Sequence, residues 1–182
     1  IEFGELKAGQ SILIQAGSGG VGSIAIAIAK HIGAKVYTTT RQANFEYAKS
    51  LGADVLIDYT VEDYREVIRS HEPDGVDLVL ECLLGEDVAE DAIRLAKDGG
   101  AVAYMNNEPP EMAEISQRHI KAEFLHHRAD GAMLTELLSL FEQGVLQLPE
   151  IKVMHLEDAV QAHHQSEAGR TRGKVVLHVQ DI

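Results

Sequence analysis

The sequence has 182 residues, 45% of them hydrophobic, which is enough to bury the core of one domain of ordinary size. Its 29 acidic residues outnumber 16 basic ones and give a net charge of −13, which argues against a nucleic acid or an anionic membrane as partner. No apolar stretch approaches transmembrane length, and the single cysteine, Cys82, excludes an internal disulfide. These features are typical of a globular protein in a reducing, cytoplasmic setting.

Short β-like runs alternate with helical runs along the first 105 residues. Apolar runs predict strands at 11–15, 35–39, 54–58, 76–81 and 101–105. Helices are predicted at 21–32, at 43–51, from a capping pair at Thr60 and Asp63 to residue 70, and at 87–97 before a turn at 98–100. Uniformly apolar strands separated by helices predict a doubly wound α/β fold with a parallel sheet covered on both faces.

The pattern loosens after residue 105. A helix near 111–119, a sixth strand at 122–126 and a long helix over 130–143 are predicted, with Gly144 ending the last of them. A further strand is predicted at 174–179. The sheet is therefore expected to have six parallel strands within residues 1–144.

A glycine cluster, QAGSGGVGS over 15–23, follows the first strand and opens the first helix. The N–H groups and the dipole of a helix N-terminus form an anion site there, which suits the pyrophosphate of a dinucleotide. Gly17 would allow the tight turn, Gly19 and Gly20 would let N–H groups approach the phosphates, and Gly22 would let the helix lie close to the strand. A turn that serves packing alone is the alternative. A methyltransferase is another, although it would usually have an acid at the end of the second strand.

The second strand lacks that acid. YTTTRQAN, residues 37–44, contains no carboxylate, whereas an NAD site normally uses Asp or Glu to hold the ribose 2′-hydroxyl. The hydroxyls of Thr39 and Thr40 and the guanidinium of Arg41 would suit a 2′-phosphate instead. This segment predicts NADP(H) as the cofactor. A solvated surface role for Arg41 is the alternative.

Several segments together resemble the cofactor-binding half of the medium-chain dehydrogenase/reductases. They are LKAGQSILIQAGSGGVGSIAIAIAKHIGAKVYTTT, LGADVLIDY, DGVDLVLE, KDGGAVAYM and RGKVVLHV. The AxxGGVG turn over 16–22 is most similar to the zinc-independent quinone oxidoreductase and enoyl reductase branch. The resemblance implies a Rossmann fold and an NADPH-dependent enzyme that transfers hydride to a small-molecule quinone, enone or aldehyde.

The resemblance also implies roles for individual residues. The family's pyrophosphate turn is matched by Ser18, Gly19, Gly20 and Val21. Tyr59 matches a tyrosine near the adenosine phosphate, and Asn44 stands where many relatives have a lysine, which puts strong 2′-phosphate binding in doubt unless Arg41 compensates. The loop over 105–107 would approach the nicotinamide.

Family members also carry a catalytic domain, built mostly from residues that precede the nucleotide-binding half. We therefore expect residues 1–144 to be an NADP-binding domain and residues 145–182 to be a segment that returns to a catalytic domain outside this chain. The sequence begins at Ile1 and shows no signal peptide, so we expect a piece of a longer protein, with most catalytic residues elsewhere. A homodimer through the edge strand near 122–126 is expected. A non-catalytic NADP(H)-binding module with a sensing or assembly role is the alternative function.

The remaining chemically active side chains are expected to be structural. His126-His127 and His163-His164 are adjacent pairs whose side chains project in different directions, so no metal site is predicted. Cys82 is expected to be a buried small residue rather than a nucleophile. Glu81 and Asp87 are expected to be structural or solvated.

Overall fold

The structure, a computed structural model, describes residues 3–169 and 171–180. Six parallel strands form its main sheet: β1 (Ser11–Ile14), β2 (Lys35–Thr40), β3 (Val55–Asp58), β4 (Val76–Glu81), β5 (Ala96–Tyr104) and β6 (Lys121–Phe124). Their order is β3-β2-β1-β4-β5-β6, so the direction of winding reverses between β1 and β4. The predicted doubly wound, six-stranded parallel sheet is confirmed.

Helices cover both faces of this sheet. They are α1 (Gly22–Ile32), α2 (Phe45–Ser50), α3 (Tyr64–His71), α4 (Val88–Leu95) and α5 (Ala113–Gln117). A further helix, α6 (Gly131–Glu142), follows β6 and buries none of its residues. Side chains alternate along β1, so Leu13 packs in one apolar cluster with Ile68 and Ile93, whereas Ile14 packs in another with Ile26. Strand β1 is therefore buried on both faces, which explains its continuous apolar sequence.

Local signals fix several helix ends. Gly33 ends α1 in the left-handed conformation, with φ of 90°. Asp63 caps α3 by accepting a hydrogen bond of 2.9 Å from the N–H of Arg65. Thr60, predicted to share that cap, instead donates its hydroxyl to Asp58 at 2.6 Å. The predicted cap by Asp63 is confirmed, and the predicted part of Thr60 in it is wrong.

The greatest difference in the sheet concerns residues 96–100. Helix α4 ends at Leu95, two residues before the predicted end, and β5 begins at Ala96. Ala96 pairs with Val76 while Ala101 pairs with Leu78, so β5 bulges between these pairs. The turn predicted at 98–100 is this bulge, with Gly99 at φ of 71°.

The C-terminal part contains a strand, a 3₁₀ turn and a helix that local patterns did not predict, followed by the predicted strand at 174–179. Strand β7 (Ile151–His155) and a 3₁₀ turn lead into α7 (Ala159–Glu167), and β8 (Lys174–His178) pairs in parallel with β7. Strand β8 therefore has a partner strand within the chain, while the expected return of residues 145–182 to a catalytic domain outside it stays a prediction. The boundary predicted at residue 144 stays a prediction, and the chain ends at 1–2 and 181–182 lie outside the described residues.

None of the helices in the described part of the chain is long and apolar enough to cross a membrane.

Candidate cofactor site

The glycine-rich turn lies at the carboxyl end of β1, beside the reversal of strand order. Its glycines are needed for close packing. A Cβ on Gly17 would overlap the hydroxyl of Thr38 and lie 2.9 Å from Cδ1 of Ile26. A Cβ on Gly22 would overlap the carbonyl oxygen of Ala16, so the start of α1 rests directly on the end of β1.

The left-handed residue of the turn is not a glycine. Ala16 has φ of 53°, whereas Gly17, Gly19, Gly20 and Gly22 are absent from the positive-φ residues. The N–H of Gly19 donates to the carbonyl of Ala16 at 2.9 Å and closes the turn. Of the two physical reasons for a glycine cluster, free space for a neighbour and positive φ, the turn uses the first.

Strand β2 holds the turn in place. The hydroxyl of Thr39 accepts a bond of 3.1 Å from the N–H of Ala16, and the carbonyl of Thr39 accepts one of 3.1 Å from Gly17. Thr39 is buried, so its side chain supports the turn from below. The structure thus places this predicted site residue beneath the turn rather than on its open side.

Polar side chains beyond β2 converge on Ser18. Thr40 donates to the Ser18 hydroxyl at 3.0 Å, and the Asn44 amide donates to it at 3.2 Å. Asn44, which stands where the resemblance expects a lysine, is therefore part of this polar cluster. The last residue of β2, Thr40, and Asn44 shortly after it thus meet at the hydroxyl oxygen of Ser18 in the turn.

Arg41 and Tyr59, predicted separately, form a pair. The Nε–H of Arg41 donates to the Tyr59 hydroxyl at 3.0 Å, and the guanidinium carbon lies 5.9 Å from the ring centroid. Tyr59 is 43% exposed, so the pair faces solvent beyond the ends of β2 and β3. The contact orients the guanidinium and leaves its terminal nitrogens available for an anion.

An acid does lie close to this pair, on the neighbouring strand. Asp58 ends β3 directly opposite Thr40. Its carboxylate accepts hydrogen bonds from the Thr60 hydroxyl, the Thr60 N–H and, at 2.9 Å, the Gln42 N–H, and these bonds lower its pKa. Its charge is thereby held inside the loop, with Arg41 favouring it as well. The sequence of β2 gives no sign of Asp58, because the pairing of β3 with β2, and not closeness in sequence, brings this acid beside Arg41 and Tyr59.

Lys174 lies over the turn from the other end of the chain. The N–H of Gly173 donates to the Ser18 carbonyl at 2.9 Å, and a Cβ on Gly20 would lie 2.7 Å from Nζ of Lys174. This places an ammonium group above the turn, beside a cleft of about 430 Å³ that His163 and Ser166 also line. Sequence reasoning missed Lys174, although RGKVVLHV was among the segments that carried the resemblance.

Cys82 follows β4 and is half-buried. Burial raises the pKa of its thiol to about 12, with the negative charge of Glu81 acting in the same direction. The thiol is therefore protonated at neutral pH, which fits the predicted structural role.

Known proteins resemble the chain over nearly its whole length. It is 33% identical to 2-methylene-furan-3-one reductase of Solanum lycopersicum, across 98% of this chain and 42% of the relative. NADPH-dependent alkenal/one oxidoreductase of Arabidopsis thaliana is 39% identical across 56% of this chain and 25% of the relative. The structure of the quinone oxidoreductase from Coxiella burnetii superposes with a TM-score of 0.85 at 34% identity, across 97% of this chain and 55% of that one. The chain thus spans about half the length of such relatives, or less.

Residues 51–177 match the family model described as zinc-binding dehydrogenase. Within residues 3–169 and 171–180, no three His, Cys, Asp or Glu side chains lie close enough together to hold a metal ion, so this part of the chain does not fit zinc. The fold, the turn and the similarity to these oxidoreductases agree with the family match. The chain belongs to the zinc-binding dehydrogenase family of the medium-chain dehydrogenase/reductases.

Proposed function

We propose that the chain is the NADP(H)-binding half of an oxidoreductase that reduces a quinone, an enone or an aldehyde. The observation that carries the proposal is the anion site itself. The ammonium of Lys174 lies beside Gly20 in the glycine turn, and the guanidinium of Arg41 follows the end of the neighbouring β2. The names of the relatives support it, since one is an NADPH-dependent alkenal/one oxidoreductase and another a quinone oxidoreductase.

The pyrophosphate would lie on the turn. The N–H of Gly19 already closes the turn on Ala16, and those of Ser23 and Ala25 already donate to the carbonyls of Gly19 and Val21. The backbone N–H groups of Ser18, Gly20 and Val21 would therefore donate to the phosphate oxygens, and Gly19 would let the phosphate come close. Lys174 would neutralise part of the phosphate charge. Gly17, Gly22 and Thr39 would hold the turn in the shape that this binding requires.

The 2′-phosphate would lie beyond β2, beside the pair formed by Arg41 and Tyr59. Arg41 keeps its terminal nitrogens for the phosphate because only Nε bonds to Tyr59. Thr40 is buried and donates its hydroxyl to Ser18, so it would act through Ser18, whose own hydroxyl proton remains available for the phosphate. The carboxylate of Asp58 would repel the phosphate little, because backbone N–H groups and Thr60 already satisfy it.

Bound NADPH would supply the hydride, while the protein would supply orientation and exclusion of water. The sheet provides the orientation. In a doubly wound fold the dinucleotide crosses the reversal of strand order, so the nicotinamide half would lie over the carboxyl ends of β4 and β5. The loops after these strands, over 82–83 and 105–107, would therefore bound one side of the reacting ring.

Calorimetric titration of NADPH and NADH into the chain tests the proposal. Arg41→Ala should lower NADPH affinity about tenfold, the lower end for a charged hydrogen bond that is partly exposed, and should hardly change NADH affinity. Lys174→Ala should lower both affinities by a similar factor, because both cofactors share the pyrophosphate. Arg69→Ala, at an exposed position of α3, is the control and should change neither.

Different outcomes would refute different parts. Equal losses for both cofactors in Arg41→Ala, or a preference of the wild type for NADH, would show that the phosphate site is misplaced. Failure of the wild type to bind either cofactor would refute the proposed function as a whole.

A further inference from the structure

Glu81 is a carboxylate with no exposed surface at the carboxyl end of β4. Burying a charge this completely costs free energy unless hydrogen bonds compensate for the lost water. Within the described residues it forms no ion pair with Lys, Arg or His. Hydrogen bonds from backbone N–H groups stabilise the buried Glu81 carboxylate instead.

These donors come from two separate loops. Oε1 accepts a bond of 2.7 Å from the N–H of Leu83, in the loop after β4. Oε2 accepts bonds from the N–H groups of Met105, Asn106 and Asn107, at 3.3, 3.1 and 3.2 Å, in the loop after β5. One carboxylate therefore ties together the loops that follow two adjacent strands.

A second contact reinforces the first. The side-chain amide of Asn107 donates to the carbonyl of Leu83 at 2.8 Å and joins the same two loops. Because three successive N–H groups of the 105–107 loop turn inward toward Glu81, the inner side of that loop is fixed by a charge. Asn106 is exposed, so the outer side of the loop faces solvent.

We infer that Glu81 is a positioning residue for the nicotinamide half of the cofactor, an inference that rests on the proposed function. It touches neither the cofactor nor the substrate. It acts through the two loops, which it holds at one separation beside the reacting ring. The adenosine half would lie across the reversal of strand order, on β1 to β3, and would not depend on these loops.

A pair of ligands separates this role from a general contribution to folding. Adenosine 2′,5′-bisphosphate carries the adenosine, the 2′-phosphate and one pyrophosphate phosphate of NADPH, without the second phosphate and the nicotinamide riboside. Glu81→Gln keeps the size of the side chain but turns an NH₂ group toward backbone donors. By calorimetry, this variant should bind NADPH about tenfold more weakly, while its affinity for the bisphosphate should change by less than about twofold.

Controls make the result specific. Asp91→Asn alters another buried carboxylate, one that pairs with Arg65 and Arg94 and not with these loops, and it should bind both ligands as the wild type does. Glu81→Asp keeps the charge but is too short to reach both loops, so it should show the same selective loss to a smaller degree. It also carries the test if Glu81→Gln fails to fold.

Equal loss of both ligands in the Glu81 variants, or no loss of either, would overturn this inference while leaving the proposed function intact. Failure of the wild type to bind NADPH would instead overturn the proposed function, and this inference with it. In wild type and Glu81→Gln, the fluorescence of bound NADPH gives a second readout. We expect its emission to differ between the two proteins, because the surroundings of the nicotinamide change, and identical spectra would contradict the assigned position.

Discussion

Gly22→Ala tests whether the close approach of α1 to β1 creates the anion site. The added methyl would overlap the carbonyl oxygen of Ala16 and lie 2.8 Å from Cα of Gly17 and 2.9 Å from the carbonyl carbon of Ala16. All three neighbours are backbone atoms, which cannot rotate away as a side chain could. The helix must therefore move away from the strand, or the turn must open.

The expected loss of stability is about 2–3 kcal/mol, the upper part of the range for overpacking a well-packed site. A domain with a stability of about 5–15 kcal/mol would remain folded, so binding can still be measured. Displacement of the turn should also misalign the N–H groups at the start of α1. The loss of one charged hydrogen bond to phosphate corresponds to about a tenfold or greater loss of NADPH affinity.

Urea unfolding and calorimetric titration would measure the two effects. Gly131→Ala is the matched control, because Gly131 begins α6 and a Cβ there would meet nothing within 4 Å. Its stability should be unchanged or up to about 1 kcal/mol higher, since alanine favours a helix over glycine. If Gly22→Ala unfolds at the same urea concentration as the wild type and binds NADPH equally well, the packing argument for this turn is wrong.

Three further outcomes are expected. Asp63→Ala should cost about 1 kcal/mol at neutral pH through loss of the α3 cap. Because bonds from Arg65 hold the pKa of Asp63 down to about 2, this stabilisation should be present above about pH 4 and vanish as the pH falls toward 2. Urea unfolding of wild type and variant at both pH values checks this, and an equal difference in stability at both would contradict it. The chain should sediment as a dimer through β6, and Ala122→Pro, at a position whose N–H alternates toward the open edge, should yield monomers; a wild-type monomer, or a dimer that survives the proline, would exclude this interface. Residues 1–182 alone should bind NADPH without oxidising it in the presence of a quinone, because nothing in them is expected to complete an acceptor pocket, and sustained loss of NADPH absorbance would contradict this.

Leu125 illustrates why such edge tests need the structure. Its N–H donates to the carbonyl of Tyr104 at 2.9 Å, on the inner side of β6. A proline there would break the pairing of β5 with β6 rather than block an outer edge. The sequence can locate the edge strand, but only the hydrogen bonds show which residues face outward.

The first five strands and the glycine turn could be predicted because their signals are local. A strand buried on both faces must be apolar throughout, and a turn between packed backbones must be glycine, as Gly17 and Gly22 illustrate. Arg41 and Tyr59 were predicted from different signals, and their contact follows from the neighbouring ends of β2 and β3.

Other features depend on pairing that the sequence does not display. Asp58 reaches the site through its register with Thr40, and Lys174 reaches it through the pairing of Gly173 with the turn. Strand β7 was missed because Ile151 and Val153 are exposed and give no continuous apolar run. Glu81 looked like an ordinary acid after a strand, since its four donors lie on backbone groups that carry no sequence signature.

The bond between Gly173 and Ser18 also bears on the order in which the site assembles during folding. The glycine turn needs only β1, α1 and β2, which are consecutive in the chain and close with little loss of loop entropy. Lys174 arrives only after nearly the whole chain has been brought back on itself, a contact of high sequence separation that forms late and opens early. At the proposed cofactor site, a nascent chain would thus acquire the pyrophosphate turn before the ammonium of Lys174, and local opening of the C-terminal strand would weaken binding of either cofactor without unfolding the sheet.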